Sequence, residues 1–334
     1  MPAVQRPEFR RADFRVASDP GIEIAVRVMR PDSVKDDVPL MLVHGGGGGG
    51  TASFDSPIPG YSLAEDLARG GRIVLIPDVR GWGDSTRPPS MSQPPEENDP
   101  AVTSEEACRD IAAVADWAAE HFDSEQIDLF GWATGGHWAA MFTARTPGRT
   151  RKLAILNSLF SVNAPWAMHA VFADPDDPTR FNRSIGAYSL RDSASLLSAW
   201  NRTIPIDDKN EWRDPDVADA YARLTIERDP THTWRDPPSV RTPTGFQRNA
   251  FHQSLGHRFW EPEEITADVL IVRGELDFWS RPEDAEALAA ELVNARSVTI
   301  ERIELGTHFV FLDRPERGRD RLIAVLRRFF DAED

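Results

Sequence analysis

One cysteine, Cys108, occurs in 334 residues. That excludes an internal disulfide framework and a cysteine-rich zinc site, and it reads as a helix residue packed on the core. No apolar run approaches the ~20 residues that a bilayer-spanning helix needs, so a soluble protein is expected. The N-terminal stretch MPAVQRPEFRRADFRV carries basic residues but neither a continuous apolar segment nor a small-residue cleavage site. A secretory signal is therefore not expected, and a cytoplasmic location is. Positive charge is scarce. Thirty-eight Lys and Arg face 54 Asp and Glu, for a net charge of −16, which repels phosphate backbones and anionic lipids. Neither nucleic acid nor membrane is an expected partner. No pair of histidines among His121, His137, His169, His232, His252 and His257 has metal-ligand spacing on one helix face, so no metal and no cofactor are assigned.

What is present is a regular alternation. Two strands fall within residues 13–30, with Ile22, Ile24, Val26 and Val28 on one face. The run PLMLVHG then has the near-continuous apolar character of a strand buried on both sides. A helix over 62–69, the strand RIVLIPD, and a helix starting near Ser104 behind a possible capping box of Thr103 and Glu106 follow. Next come the strand QIDLFG, a helix after Gly135 and the strand KLAILNS. Such βαβ repetition predicts an α/β fold with a doubly wound, mostly parallel sheet. The pattern stops near Ser158 and resumes at ADVLIVRG, continuing with a helix from Pro282, the strand SVTIERI and a last helix. Residues 1–158 and 263–334 thus form the expected core domain, and 159–262 an inserted, largely helical cap with long loops. The insertion holds Trp166, Trp200, Trp212, Trp234 and Trp260.

The segment QIDLFGWATGGHWAAMF has the small-x-nucleophile-x-small form of a strand-turn-helix elbow, with Gly131 and Gly135 flanking Ala133. Centring the motif on Thr134 would put Trp132 where strand and helix approach too closely for an indole. Alanine gains nothing from the strain of such a turn. The simplest explanation is replacement of a serine, of the sort made to trap an uncleaved substrate; a natural inactive or ligand-sensing protein is the alternative.

Five segments carry a resemblance to the α/β-hydrolase superfamily: VHGGGGGG (43–50), DVRGWGDS (78–85), FGWATGGHW (130–138), VRGELDFWSRP (272–282) and GTHFVFLDRP (306–315). The resemblance implies an oxyanion hole from the amides of Gly46 and Thr134. It implies that the acid is Asp277 of Gly274-Glu275-Leu276-Asp277, with Glu275 as the competing carboxylate, and that the base is His308. The order 133, 277, 308 is that of this fold. His44 reads as support for the oxyanion loop. The glycine run formally satisfies G-x-G-x-x-G, but no helix is expected directly after it and no Gly-Lys-Ser/Thr is present, so no phosphate loop is assigned.

The function so implied is hydrolysis of a carboxylic ester or lactone with a bulky hydrophobic body through an acyl-serine intermediate, with turnover lost at Ala133. Among capped serine-dependent groups the chain is taken to resemble the zearalenone-type lactone hydrolases, which makes a macrolactone one candidate substrate. Trp132, Trp166, Trp200 and Trp260 are the expected apolar walls of the pocket. Tyr188 and Tyr221 are candidate donors to a substrate oxygen. Three rivals stand beside this reading. An epoxide hydrolase or haloalkane dehalogenase uses aspartate at the same elbow; a carbon–carbon hydrolase shares the serine triad; a ligand-binding receptor needs no nucleophile. The sequence leaves oligomeric state open, a homodimer included.

Overall fold

The computed structural model describes residues 9–332, so the first eight residues of the stretch read above for a signal lie outside it. Ten strands are present among the described residues: β1 (Phe9–Ala17), β2 (Glu23–Pro31), β3 (Asp36–Val43), β4 (Arg72–Pro77), β5 (Ile127–Trp132), β6 (Thr150–Leu156), β7 (Tyr188–Arg191), β8 (Val240–Pro243), β9 (Asp268–Gly274) and β10 (Ser297–Ile303). Eight of them build one sheet in the order β1-β2-β4-β3-β5-β6-β9-β10. The hairpin β1–β2 and the β2–β4 pair are antiparallel, and all remaining neighbours are parallel.

The sequence dictates this arrangement through burial. Leu40, Met41, Leu42 and Val43 of β3 are fully enclosed, and every residue of β5 is buried. Strands covered on both faces need apolar side chains at successive positions, not alternate ones. The helix Ser104–Phe122 opens with a complete capping box, in which Thr103 Oγ1 accepts from the Glu106 amide and the Glu106 carboxylate accepts from the Thr103 amide. Its inner face carries Cys108, Ile111, Val114 and Ala118. From β3 the chain moves outward to β4, then returns to place β5 on the other side of β3. That reversal opens a crevice at the carboxyl ends of β3 and β5, where ligands bind in open α/β sheets.

All eight strands of the main sheet lie outside residues 159–262. That interval contains the helices Ser193–Thr203, Pro215–Glu227 and Gly245–Ser254, together with the antiparallel pair β7–β8. The pair was not expected from the sequence, since each strand has only four residues and periodicity over four positions carries no signal. Four of the five tryptophans in the interval are buried, whereas Trp234 is 81 % exposed. Among the described residues no helix is long and apolar enough to cross a membrane.

Candidate active site

Ala133 sits between β5 and the helix Thr134–Arg145 with φ 52° and ψ −120°. For a residue with a Cβ this conformation costs on the order of 1–3 kcal/mol. The flanking glycines make the turn feasible. A Cβ on Gly131 would collide with the Gly135 carbonyl and stand 2.5 Å from Gly136 Cα; one on Gly135 would strike the carbonyls of Val43 and His44. Thr134 is the first helical residue, so its amide has no acceptor within the helix. Gly46 follows β3 and comes to the same place: a Cβ on the adjacent Gly45 would stand 3.2 Å from Ala133 Cβ.

The glycine loop is held from behind. His44 Nε2 accepts from the Val79 amide at 3.0 Å, so the ring proton sits on Nδ1 and is donated to the Gly45 carbonyl at 2.7 Å. Burial holds this imidazole below its ordinary pKa, which keeps the neutral form that the two bonds require. Asp78 accepts from the amides of Gly50 and Asp84 at 2.7 and 3.0 Å, tying the glycine loop to the segment after β4.

Asp277 and His308 meet after β9 and β10. His308 Nδ1 lies 2.6 Å from Asp277 Oδ1, and the carboxylate also accepts from the Trp279 amide at 3.1 Å, the Ser280 amide at 2.7 Å and the Ser280 hydroxyl. With Nδ1 as donor, Nε2 of His308 is left with its lone pair. Glu275 takes no part in this. Its carboxylate accepts from the Leu305 amide at 3.0 Å and from Arg302 at 2.9 Å, at the exposed edge.

Two residues that the sequence reading passed over hold the His308 loop. Asn157, just beyond β6 at φ 52°, donates to the carbonyls of Thr307 and His308 at 3.2 Å each and accepts from the Gly274 amide at 2.7 Å. One amide side chain thereby fixes the loops bearing the acid and the base. An asparagine directly after a buried strand was the available signal, because Asn tolerates the left-handed region. Asp313 accepts from the Thr307 amide and hydroxyl at 3.2 and 2.7 Å, and burial pushes its pKa up to about 6.

Ala133, Thr134, Gly46 and His308 face one cavity of about 250 Å³, whose other walls include Phe246, Phe278, Trp279, Phe309 and Tyr221. Trp132 also lines it, with its indole N–H donated to the His308 carbonyl at 2.9 Å. The expected tryptophan walls require correction. Trp166, Trp200 and Trp260 are absent from the lining, and each buried indole N–H is tied to an acceptor of the core. Trp166 donates to the Trp279 carbonyl at 2.8 Å, Trp200 to Asp313 at 2.7 Å, and Trp260 to His137 Nδ1 at 3.1 Å. Tyr188 points away as well, donating to the Gln93 carbonyl. Tyr221 does reach the cavity.

A family profile described as the alpha/beta hydrolase fold matches residues 38–315. The chain belongs to the α/β-hydrolase fold family. A curated hydrolase relative, 2-hydroxy-6-oxononadienedioate/2-hydroxy-6-oxononatrienedioate hydrolase of Cupriavidus pinatubonensis, is 28% identical over 119 residues. That match spans 35% of this chain and 35% of the relative. Among solved structures, a meta-cleavage product hydrolase from Pseudomonas fluorescens has a TM-score of 0.62 at 15% identity, covering 95% of this chain and 97% of that one. A thermophilic esterase from Thermogutta terrifontis has a TM-score of 0.58 at 18% identity, covering 96% and 99%. At these identities the structural likeness speaks for the fold alone.

Proposed function

We propose that this protein is a serine-type scaffold for hydrolysis of a carboxylic ester or lactone, in which Ala133 stands where the attacking serine belongs. Residues 159–262 act as its cap over the core formed by 1–158 and 263–334. The observation that carries the reading is the 2.6 Å contact of His308 Nδ1 with Asp277, beside a cavity that His308 and the strained Ala133 both line.

With serine at 133, His308 Nε2 takes the hydroxyl proton as the oxygen adds to the ester carbonyl carbon. Asp277 holds the imidazole tautomer and stabilises the imidazolium. The oxygen of the tetrahedral intermediate lies against the amides of Gly46 and Thr134. Collapse breaks the acyl–oxygen bond, and His308 returns its proton to the departing alcohol. Water, deprotonated by the same His308, then releases the acid and regenerates serine. Alanine supplies no oxygen for the first step, so the protein binds its ligand and does not turn it over.

A second reading has one observation in its favour. The Cupriavidus relative is named for 2-hydroxy-6-oxo dienedioates, and a substrate of that type would use the same acid, base and oxyanion groups. Ala133→Ser tests both. Assayed against aryl esters, macrocyclic lactones and a 2-hydroxy-6-oxo dienedioate, the serine form is expected to cleave at least one ester or lactone and to show a covalent acyl adduct on the new serine by mass spectrometry. Silence of Ala133→Ser together with epoxide or haloalkane turnover by Ala133→Asp would replace the serine reading by the aspartate branch.

A further inference from the structure

The cavity carries positive charge that nothing in the protein balances. Arg191, the last residue of β7, lines it beside Tyr221, and so does Arg202. No aspartate or glutamate is among the lining residues. Among the described residues the Arg191 guanidinium has neither a carboxylate partner nor a hydrogen bond, and its Nε is enclosed. Burial drives the pKa of this guanidinium down, as follows for a charge that loses water without gaining an anion. Arg202, an exposed residue at the cavity wall, contacts the Met168 sulfur at 3.0 Å and the Phe278 ring at 5.5 Å.

Four other enclosed arginines of the chain each meet a carboxylate, whereas the buried Arg213 lies over the Trp200 ring at 4.9 Å. Arg72 meets Asp128 at 2.8 Å, Arg80 meets Asp110 at 2.6 Å, Arg241 meets Asp229 at 2.8 Å and Arg281 meets Asp284 at 2.7 Å. A chain with 54 acidic residues has no shortage of carboxylates to offer. Leaving a buried charge unpaired is unfavourable, and Arg191, unlike Arg213, faces the cavity, so a partner from outside the chain is the economical account of it. Tyr221 adds a second donor at the same spot. Its hydroxyl is buried and donates to no group of the protein among the described residues, and its oxygen lies against the glycine loop, beside the Gly48 amide and 2.9 Å from where a Cβ on Gly47 would stand. Burial also raises the Tyr221 pKa, so the hydroxyl keeps its proton and is a donor at neutral pH.

We propose that the ligand of this cavity carries a free carboxylate, bound by the Arg191 guanidinium and the Tyr221 hydroxyl, with its reacting carbonyl at Ala133. The substrate is then an acid-bearing ester or lactone and not a wholly hydrophobic one. This rests on the hydrolase reading only for the position of the carbonyl; the anion site stands on its own contacts. A planar guanidinium fork matches a carboxylate, and charge-assisted bonds are about twice as strong as neutral ones. Arg202 adds longer-range attraction from the same wall.

Calorimetry on the unaltered protein with 4-phenylbutyrate and its neutral counterpart 4-phenylbutyramide reads the anion site without any turnover. The acid is expected to bind about tenfold or more tightly than the amide, which corresponds to about 1.4 kcal/mol. Arg191→Gln should bring the ratio close to one, Arg191→Lys should keep part of it, and Tyr221→Phe should lower it severalfold. If Arg191→Gln does not fold, Tyr221→Phe, which deletes a single oxygen, carries the comparison. Equal affinity for acid and amide, binding of neither at millimolar concentration, or a preference that survives Arg191→Gln would overturn the proposal. The two readings fail separately. A carboxylate preference in a protein whose Ala133→Ser form cleaves no ester keeps the anion site and sinks the hydrolase reading. Ester cleavage by Ala133→Ser with no preference for acid-bearing esters does the reverse.

Discussion

Around His308 the floor of the cavity pairs its polar groups within the protein, whereas the roof leaves two of its own open. On the floor, built by loops of the main sheet, the Asp277 carboxylate has four partners and the His308 carbonyl accepts from both Trp132 and Asn157. On the roof, Arg191 has no carboxylate partner and the Tyr221 hydroxyl donates to no group of the protein among the described residues. Groups that must hold a reacting geometry are over-determined by the protein itself. On the reading proposed above, groups that recognise a ligand are completed only when it arrives. The roof is nevertheless not a loose lid. Trp260 bonds to His137 on the helix that follows Ala133, Trp166 to the carbonyl of Trp279 in the Asp277 loop, and Trp200 to Asp313 under the His308 loop. The helix after Ala133 and the loops bearing Asp277 and His308 are thereby each pinned by one indole from above.

The sharpest way to break this contrast is to cut the floor in the Ala133→Ser protein. His308→Ala should lower its turnover by about 10³-fold or more, since triad members act as a unit and the remainder comes from oxyanion stabilisation and binding. Asp277→Asn should be nearly as damaging. Glu275→Gln should change turnover less than twofold, because that carboxylate is engaged with Leu305 and Arg302. Initial rates on one activated ester decide it, and a reversed order between Asp277 and Glu275 would remove Asp277 from its role.

A smaller effect separates holding the base from being the base. Asn157→Ala frees the Thr307 and His308 carbonyls from one shared anchor, and should reduce kcat about 10- to 100-fold in the serine protein with little change in KM. The basic group seen in the pH–rate profile should shift at the same time, which a mere loss of stability would not produce. An Asn157→Ala protein with normal kcat would mean that Trp132 alone suffices to hold His308.

The same contrast explains what the sequence made legible. The floor could be read because its chemistry is bound to local pattern: Gly131 and Gly135 at fixed spacing around Ala133, Asp277 and His308 just past buried strands, Gly46 after His-Gly. Each follows from a backbone constraint that only certain residues satisfy. The roof could not be read that way. Trp166, Trp200 and Trp260 were expected to line the pocket because they are large and apolar, yet the indole N–H decides where each one sits. Arg191 has no local signature at all, since its meaning lies in the carboxylate that tertiary packing fails to bring to it. Asn157 was missed for a related reason, since its partners lie 117 to 151 residues away; Asp313 stands in the segment 306–315 already singled out, but its link to Trp200 spans 113 residues.

The smallest expected effect concerns two of the roof's anchors, His137 beneath Trp260 and Asp313 beneath Trp200. Burial lowers the pKa of His137 from 6.5 to about 3, so the unfolded chain binds the extra proton between those values and stability falls as the pH drops below about 6.5. Burial raises Asp313 from 3.8 to about 6, so here the folded protein binds the extra proton and stability is lost as the pH rises from about 4 through 6. Each slope is about 1.4 kcal/mol per pH unit in its window. The signs are opposite, and the two contributions offset each other between about pH 4 and 6. Removing one exposes the other. Relative to the unaltered protein, Asp313→Asn should become less stable on going from pH 6 to pH 4, whereas His137→Gln should become more stable over the same interval. Urea unfolding at pH 4, 5 and 6 measures both, and the difference between the variants cancels every titration they share. Parallel pH dependences in Asp313→Asn and His137→Gln would show that these two anchors do not titrate as their burial requires.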